Sequence, residues 1–107
     1  MSTLANNQYD AIESLIFTEG LRIDALEFLP ELDLMLVILN TKVVLSLNLS
    51  SYKSLKATDR AQLKQYELVG GGTGVHWPLL DEDLSLKGFL QTILRKVVKT
   101  DNGSVAA

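Results

Sequence analysis

Cysteine is absent from this 107-residue sequence, and histidine and tryptophan each occur once. Without cysteine the chain has no disulfide, no thiolate metal ligand and no cysteine nucleophile, which is compatible with a reducing compartment. The longest uninterrupted apolar run, residues 34–39, is six residues long, whereas a membrane-spanning helix needs roughly 20. No lysine or arginine precedes Arg22, so the basic segment of a secretory signal peptide is missing. We therefore expect a cytoplasmic protein that does not enter a membrane.

Positive charge is scarce over most of the chain. Residues 1–86 carry 12 acids against six bases, whereas residues 87–107 carry four bases against one acid. A net charge of −3 repels phosphate backbones, which argues against nucleic-acid binding everywhere except at the C-terminal segment. The composition, 47% hydrophobic and 21% charged, indicates one folded domain rather than a disordered chain.

Side chains alternate with a period of two over residues 21–49, which indicates β-strands. The apolar phase slips near Ala25, predicting a bulge, and Pro30 ends the first strand. Residues 32–39 are apolar on both faces, as is typical of a central strand covered on both sides. In so small a chain the second cover could come from another subunit. A further strand is predicted after a turn at Asn40-Thr41. Four of its side chains are expected to face inward: Val43, Leu45, Leu47 and Leu49.

Two short helices are predicted next, one capped by Ser50 or Ser51 and one, residues 59–65, capped by Thr58. Strands at residues 66–69 and 74–77 then pair across a glycine-rich turn. A last helix is predicted to be capped by Ser85 or Asp83 and to end at Asn102-Gly103.

The predicted fold class is α+β: a small antiparallel sheet of four to five strands in the order β-β-β-α-β-β-α, with helices packed on it. Residues 1–20 form an arm or short helix, with Asn6 or Asn7 as its cap, packed either on its own domain or on a second subunit. Residues 21–99 form a single domain, and residues 100–107 a flexible tail.

Most of the unusual residues lie within residues 66–90. Four glycines fall in five positions: Gly70, Gly71, Gly72 and Gly74. The segment lacks the Lys-Ser/Thr of a P-loop, and Val75 stands where a dinucleotide fingerprint needs its last glycine. We favour a turn that needs positive φ, or a backbone that Trp77 or another chain approaches closely. Anion binding by exposed N–H groups is the alternative.

Alternation places His76 on the face opposite Val75 and Trp77. A polar or interface position is therefore favoured, with a general base or a metal ligand as alternatives. A zinc site needs three or four ligands, and the chain has no cysteine and no second histidine to contribute.

Three acids, Asp81, Glu82 and Asp83, follow Pro78. Because they precede a predicted helix, we expect them to satisfy its free N–H groups and to favour its dipole. An acidic patch for a basic partner is the alternative.

The segment LVGGGTGVHWPLLDEDLSLKGFL resembles the signature of the bacterial family known as domain of unknown function 2442. The matching positions are Gly70, Gly71, Gly72, Gly74, Val75, His76, Trp77, Pro78, Asp81, Glu82, Asp83, Leu84 and Ser85. The resemblance covers about residues 21–90; Asn40-Thr41 departs from the Asp-Gly-like turn common in the family, and residues 1–20 are additional. It implies a small α+β domain with an antiparallel sheet and no established activity. Toxin-like proteins encoded beside some members imply an antitoxin-like role.

We therefore expect a non-catalytic protein-interaction module, antitoxin-like toward a small toxin-like protein, with no cofactor and no metal. A homodimer is also expected. The candidate interaction residues are Gly70, Gly71, Gly72, Gly74, His76, Trp77, Pro78, Asp81, Glu82 and Asp83. The alternatives are a small-molecule-binding or enzymatic domain that uses His76 and nearby carboxylates, and a DNA-associated regulator.

Overall fold

The computed structural model describes the backbone of residues 9–106 and the side chains of residues 9–98. Its strands are β1 (Ile23–Leu29), β2 (Leu34–Leu39), β3 (Val44–Asn48), β4 (Glu67–Val69), β5 (Gly74–Trp77) and β6 (Glu82–Ser85). Its helices are α1 (Ala11–Glu13, continued by a π-helical turn at Ser14–Thr18), α2 (Lys53–Lys56), α3 (Arg60–Leu63) and α4 (Leu86–Ala106). The α+β class predicted from the sequence is confirmed.

The strands form two antiparallel sheets of three rather than one sheet of four to five. Sheet A has the order β1-β2-β3 and sheet B the order β4-β5-β6. The predicted single sheet is therefore wrong, and the strand that the prediction missed is β6. Asp81 turns the chain with a left-handed φ of 51°, so the acids after it run back along β5 instead of starting the last helix.

Sheet A follows the apolar alternation of the sequence. On β2, Met35, Val37 and Leu39 are buried while the residues between them are half-buried. The β1–β2 register shifts between Ile23 and Ala25, so the predicted bulge is confirmed.

The β2–β3 hairpin closes through a loop of three residues, Asn40, Thr41 and Lys42. The N–H of Lys42 donates to the carbonyl of Leu39, and the N–H of Leu39 donates to the carbonyl of Val43. Lys42 has a φ of 76°, the left-handed position of a three-residue hairpin loop. Val43 therefore belongs to the end of the loop and is exposed, which corrects its predicted inward position.

One hydrophobic core lies between the inner faces of the two sheets, α4 and the short helices. Leu55 of α2 and Leu63 of α3 are buried in it, together with Leu86 and Phe89 of α4. The helix caps differ in part from the prediction. The side chain of Asp59, not Thr58, caps α3, and no side chain caps α2.

The first helix packs on its own domain within the described residues. Asp10 and Glu13 form a capping box at the start of α1. Ile16 is buried in the core, and its carbonyl accepts a hydrogen bond from Arg22 Nη1. The predicted caps Asn6 and Asn7 lie outside the described residues, and the domain bounds remain predictions.

Helix α4 continues to Ala106, past Asn102-Gly103, where the sequence predicted its end. A glycine inside a helix costs about 1 kcal/mol relative to alanine, which weakens a helix without stopping it. Among the described residues, no helix is both long enough and apolar enough to cross a membrane.

Candidate functional site

The glycine-rich segment is a tight turn between β4 and β5. Gly70, Gly71 and Gly72 have φ values of 59°, 67° and 106°, so the predicted need for positive φ is confirmed. The N–H groups of Gly72 and Thr73 both donate to the carbonyl of Val69. Because the turn uses these two donors itself, they are not available to an anion.

Gly72 is also the point where the turn meets sheet A. Its carbonyl accepts a 2.8 Å hydrogen bond from the N–H of Ile23. A Cβ at position 72 would lie 2.7 Å from the carbonyl oxygen of Ile23 and 3.1 Å from Cβ of Arg22. The close approach expected at these glycines is thus made by β1 of the same chain.

Trp77 belongs to the core and not to the surface. Its side chain is fully buried, and Nε1 donates a 2.9 Å hydrogen bond to the carbonyl of Leu63. Its ring lies 6.4 Å, centre to centre, from the rings of both Phe28 and Tyr66. Trp77 therefore holds sheet B against sheet A and α3, whereas the next residue, Pro78, is exposed at the end of β5.

His76 lies on the opposite face of β5, as the alternation predicted. Its Nδ1 is 2.7 Å from Oδ1 of Asp83, its cross-strand partner on β6. The other cross-strand partner of His76 is Glu67 on β4. An ionised carboxylate only accepts hydrogen bonds, so Nδ1 is the donor in this pair.

The helix-capping role predicted for the three acids is wrong. Glu82 and Asp83 lie in β6, and Asp81 occupies the turn before it with a φ of 51°. Aspartate tolerates this left-handed conformation better than most residues, which lets the chain reverse there. Helix α4 is capped instead by Ser85, whose Oγ accepts a hydrogen bond from the N–H of Gly88.

An acidic surface results on the outer side of sheet B. Glu67 and Asp83 flank His76 in one row across the three strands, and Asp81 is exposed in the turn that leads into β6. We call these four residues the acidic face. Glu67 was not among the residues predicted from the sequence, although counting back across the glycine turn from His76 pairs the two residues.

A groove of about 290 Å³ opens between β6 and α4. Asp83 lies on its rim, and Thr92 and Arg95 of α4 line it, but His76 does not. The hydroxyl of Tyr52, also in its wall, is buried without a hydrogen-bond partner in the described part of the chain. Burial raises the pKa of Tyr52.

The hydroxyl on the acidic side of β6 is used within the fold. Ser85, the hydroxyl on the same side of β6, is used as the cap of α4 rather than bonded to His76. Within residues 9–98, no group of three or more histidine, aspartate or glutamate side chains is arranged to hold a metal ion. The geometry leaves one imidazole–carboxylate pair on an open β-sheet surface.

Two basic residues of α4 are engaged within the fold. Lys87 Nζ lies 3.2 Å from Asp10 and 2.8 Å from Glu13, both at the start of α1. Glu13 and then Asp10 hold the pKa of Lys87 above its usual value. Lys96 Nζ is 3.3 Å from the Ser46 carbonyl at the edge of β3. Both bases thus contact groups of the same chain.

Comparison with known proteins gives a family and a fold. The family model described as protein of unknown function (DUF2442) matches residues 23–94. A crystal structure of a protein of unknown function from Rhodospirillum rubrum is 27% identical, with a TM-score of 0.60 over 69% of this chain and 89% of that one. The solution NMR structure of an uncharacterised protein from Chromobacterium violaceum is 24% identical, with a TM-score of 0.62 over 85% and 82% of the two chains. No curated protein matches.

Proposed function

This chain belongs to the family described as protein of unknown function (DUF2442), and we propose that it is a non-catalytic protein-interaction module. Its contact surface is the acidic face, and its partner presents a basic segment. The observation that supports this most is the row Glu67–His76–Asp83 on the outer side of sheet B. Side chains in such a row face the same way and can meet one partner together.

The acids of this face are free to meet a partner because the fold does not use them as helix caps. The side chain of Asp83 is 73% exposed even though it bonds to His76. Val69, paired with Gly74 on the same side of sheet B, is exposed beside the row. A partner segment that combines lysine or arginine with an apolar residue would complement both the charge and the apolar surface.

The non-catalytic part of the proposal rests on the openness of the site. Catalytic acids and bases act more effectively in an enclosed site, because an enclosed site excludes water and so strengthens electrostatic interactions. His76 instead lies on an open sheet surface and does not line the groove. The finer form of the proposal is an antitoxin-like role toward a small basic protein in the cytoplasm, as the family resemblance implies.

Small-molecule binding in the groove beside Asp83 is the second candidate. It is favoured by the Tyr52 hydroxyl, which is buried without a partner in the groove wall among the described residues. Arg95 in the same wall suits a small anion. Adding succinate or phosphate should then shift the NMR signals of Thr92 and Arg95. Unchanged spectra at millimolar ligand would rule this candidate out.

A charge-matched pair of variants tests the leading proposal. One is the triple variant Glu67→Gln/Asp81→Asn/Asp83→Asn, and the control neutralises three acids elsewhere, Glu19→Gln/Asp24→Asn/Glu31→Gln. Both variants change the net charge equally, so long-range attraction is matched and only the position differs. The probe is a fluorescein-labelled arginine-rich peptide, followed by fluorescence anisotropy at physiological salt.

We expect the acidic-face variant to bind the peptide about tenfold more weakly than the control variant, since each rim carboxylate contributes about 0.5 kcal/mol. Circular dichroism of both variants checks that the fold is kept. Equal affinities of the two variants would contradict the proposed surface, because general charge attraction would then explain all the binding.

A further inference from the structure

The outer face of sheet A carries a regular arrangement of nine side chains. At each of three levels, one residue of β1, one of β2 and one of β3 lie directly across from each other. We call these nine residues the outer grid. Its three levels are Ala25–Ile38–Val44, Glu27–Leu36–Ser46 and Leu29–Leu34–Asn48.

The middle column of the outer grid is apolar and incompletely covered. Leu34, Leu36 and Ile38 are half-buried, whereas the alternate residues of β2 that face the core are fully buried. The three are not among the half-buried residues that pack against the core. Val44, beside Ile38, is 50% exposed. The central strand of this sheet thus presents an apolar surface away from its own core, which on a soluble protein marks a contact surface.

The two outer columns of the grid differ in charge. Glu27, exposed on β1, is the negative group of its column. On the β3 side, Lys96 Nζ lies 3.3 Å from the Ser46 carbonyl and 3.3 Å from Asn48 Oδ1. The level of Leu36 therefore has a carboxylate at one end and an ammonium group at the other.

We propose that a second copy of this chain packs on the outer grid, with a twofold axis parallel to β2. Such an axis places β1 of one copy over β3 of the other and keeps every level opposite itself. Leu36 then meets Leu36 of the partner subunit, and Glu27 lies over Ser46 and Lys96 of the partner subunit. The ion pair occurs twice in the dimer, and the apolar column is buried between two aligned sheets.

The charges select this arrangement over the alternative one. A twofold axis perpendicular to the strands would stack β1 on β1 and bring the two Glu27 carboxylates together, which is repulsive. The described part of the N-terminal segment does not compete for the grid, because Ile16 fills the core and Lys87 of α4 bonds to Asp10 and Glu13. The dimer surface on sheet A is also separate from the acidic face on sheet B. The proposed dimer and the proposed basic partner can therefore be tested independently.

Sedimentation equilibrium of the full chain tests the dimer. We expect a species of twice 11.8 kDa at micromolar concentration. Leu36→Lys should convert it to a folded monomer. The matched control is Leu94→Lys, which places the same charge at an exposed leucine of α4 and should leave the dimer intact. A monomeric wild type, a dimeric Leu36→Lys variant, or a monomeric Leu94→Lys variant would each overturn the proposal.

Charge reversal tests the direction of the axis, and does so even if Leu36→Lys fails to fold. Glu27→Lys alone and Lys96→Glu alone should each raise the dimer dissociation constant about tenfold or more, because each places like charges together twice. The double variant Glu27→Lys/Lys96→Glu should recover most of the affinity. If the double variant is no tighter than the single ones, the twofold axis is not parallel to β2 and the proposal is wrong.

Discussion

Sheets A and B each have three antiparallel strands in sequential order, but they are held in place differently. In sheet A, the buried side chains are spread along β1, β2 and β3 and interlock with the whole core. In sheet B, β4 has only exposed residues, and the buried side chains are concentrated on β5, at Val75 and Trp77. Sheet A is therefore stabilised by many buried side chains, whereas sheet B is stabilised by a few.

The outer faces differ as well. Sheet A presents an apolar column between Glu27 and Lys96, and sheet B presents the row Glu67–His76–Asp83. An apolar surface suits a permanent interface, such as one with a second copy of the chain. An open acidic surface suits a transient interaction with a partner. The difference in function that we propose thus follows from which residues fill the outward positions of two similar sheets.

Removing the largest contact of sheet B should have the largest effect on stability. Trp77→Ala should lower the free energy of unfolding by about 3–5 kcal/mol, because it empties a fully buried site. His76→Ala, one residue away on the exposed side, should lower it by about 0.5 kcal/mol or less. Urea denaturation gives both values. A loss below about 1 kcal/mol for Trp77→Ala would show that sheet B does not depend on this side chain.

The contact between the glycine turn and β1 should come next in size. Gly72→Ala should cost about 2 kcal/mol or more, since the added Cβ is strained at positive φ and meets the Ile23 carbonyl. Gly71 also has a positive φ but open space around it, so Gly71→Ala should cost only about 1 kcal/mol. Equal costs in urea denaturation would mean that the approach to β1 adds nothing to the strain.

The contacts of Lys87 should give the smallest effect, and one that depends on pH. The Glu13 N–H, and after it Lys87, lower the pKa of Asp10, and Lys87 lowers the pKa of Glu13. The stability from these lowered pKa values is present above the ordinary values and is lost as pH falls, roughly from pH 5 to pH 3. The stability difference between wild type and Lys87→Met should therefore shrink over that range. An unchanged difference in urea denaturation at pH 7 and pH 3 would contradict this.

The sequence predicts most of sheet A because alternation there decides which side chains are buried. The β1 bulge follows from the phase slip near Ala25, and the apolar outer column follows from the unbroken run of residues 34–39. The glycine turn is also predictable, since several adjacent glycines are tolerated where positive φ is required. On β5, alternation places His76 and Trp77 on opposite faces, as the structure has them.

The sequence does not predict the third strand of sheet B or the use of its acids. The acids followed by serine at residues 81–85 are typical of a helix start and are uncommon in strands, so local preference points away from β6. The decision comes from tertiary contacts: pairing with β5 and the hydrogen bond from His76 to Asp83. Trp77 stood among the candidate contact residues for a similar reason, since alternation separates two faces without saying which one is buried.

The most direct test of the comparison is the affinity of the Leu36→Lys variant for the arginine-rich peptide, measured by fluorescence anisotropy beside wild type. If the two outer faces act separately, the monomeric variant should bind the peptide within about twofold of wild type, a difference of only about 0.4 kcal/mol. A loss of tenfold or more, in a variant whose circular dichroism is unchanged, would show that the acidic face needs the dimer. That result would contradict the assignment of different partners to sheets A and B.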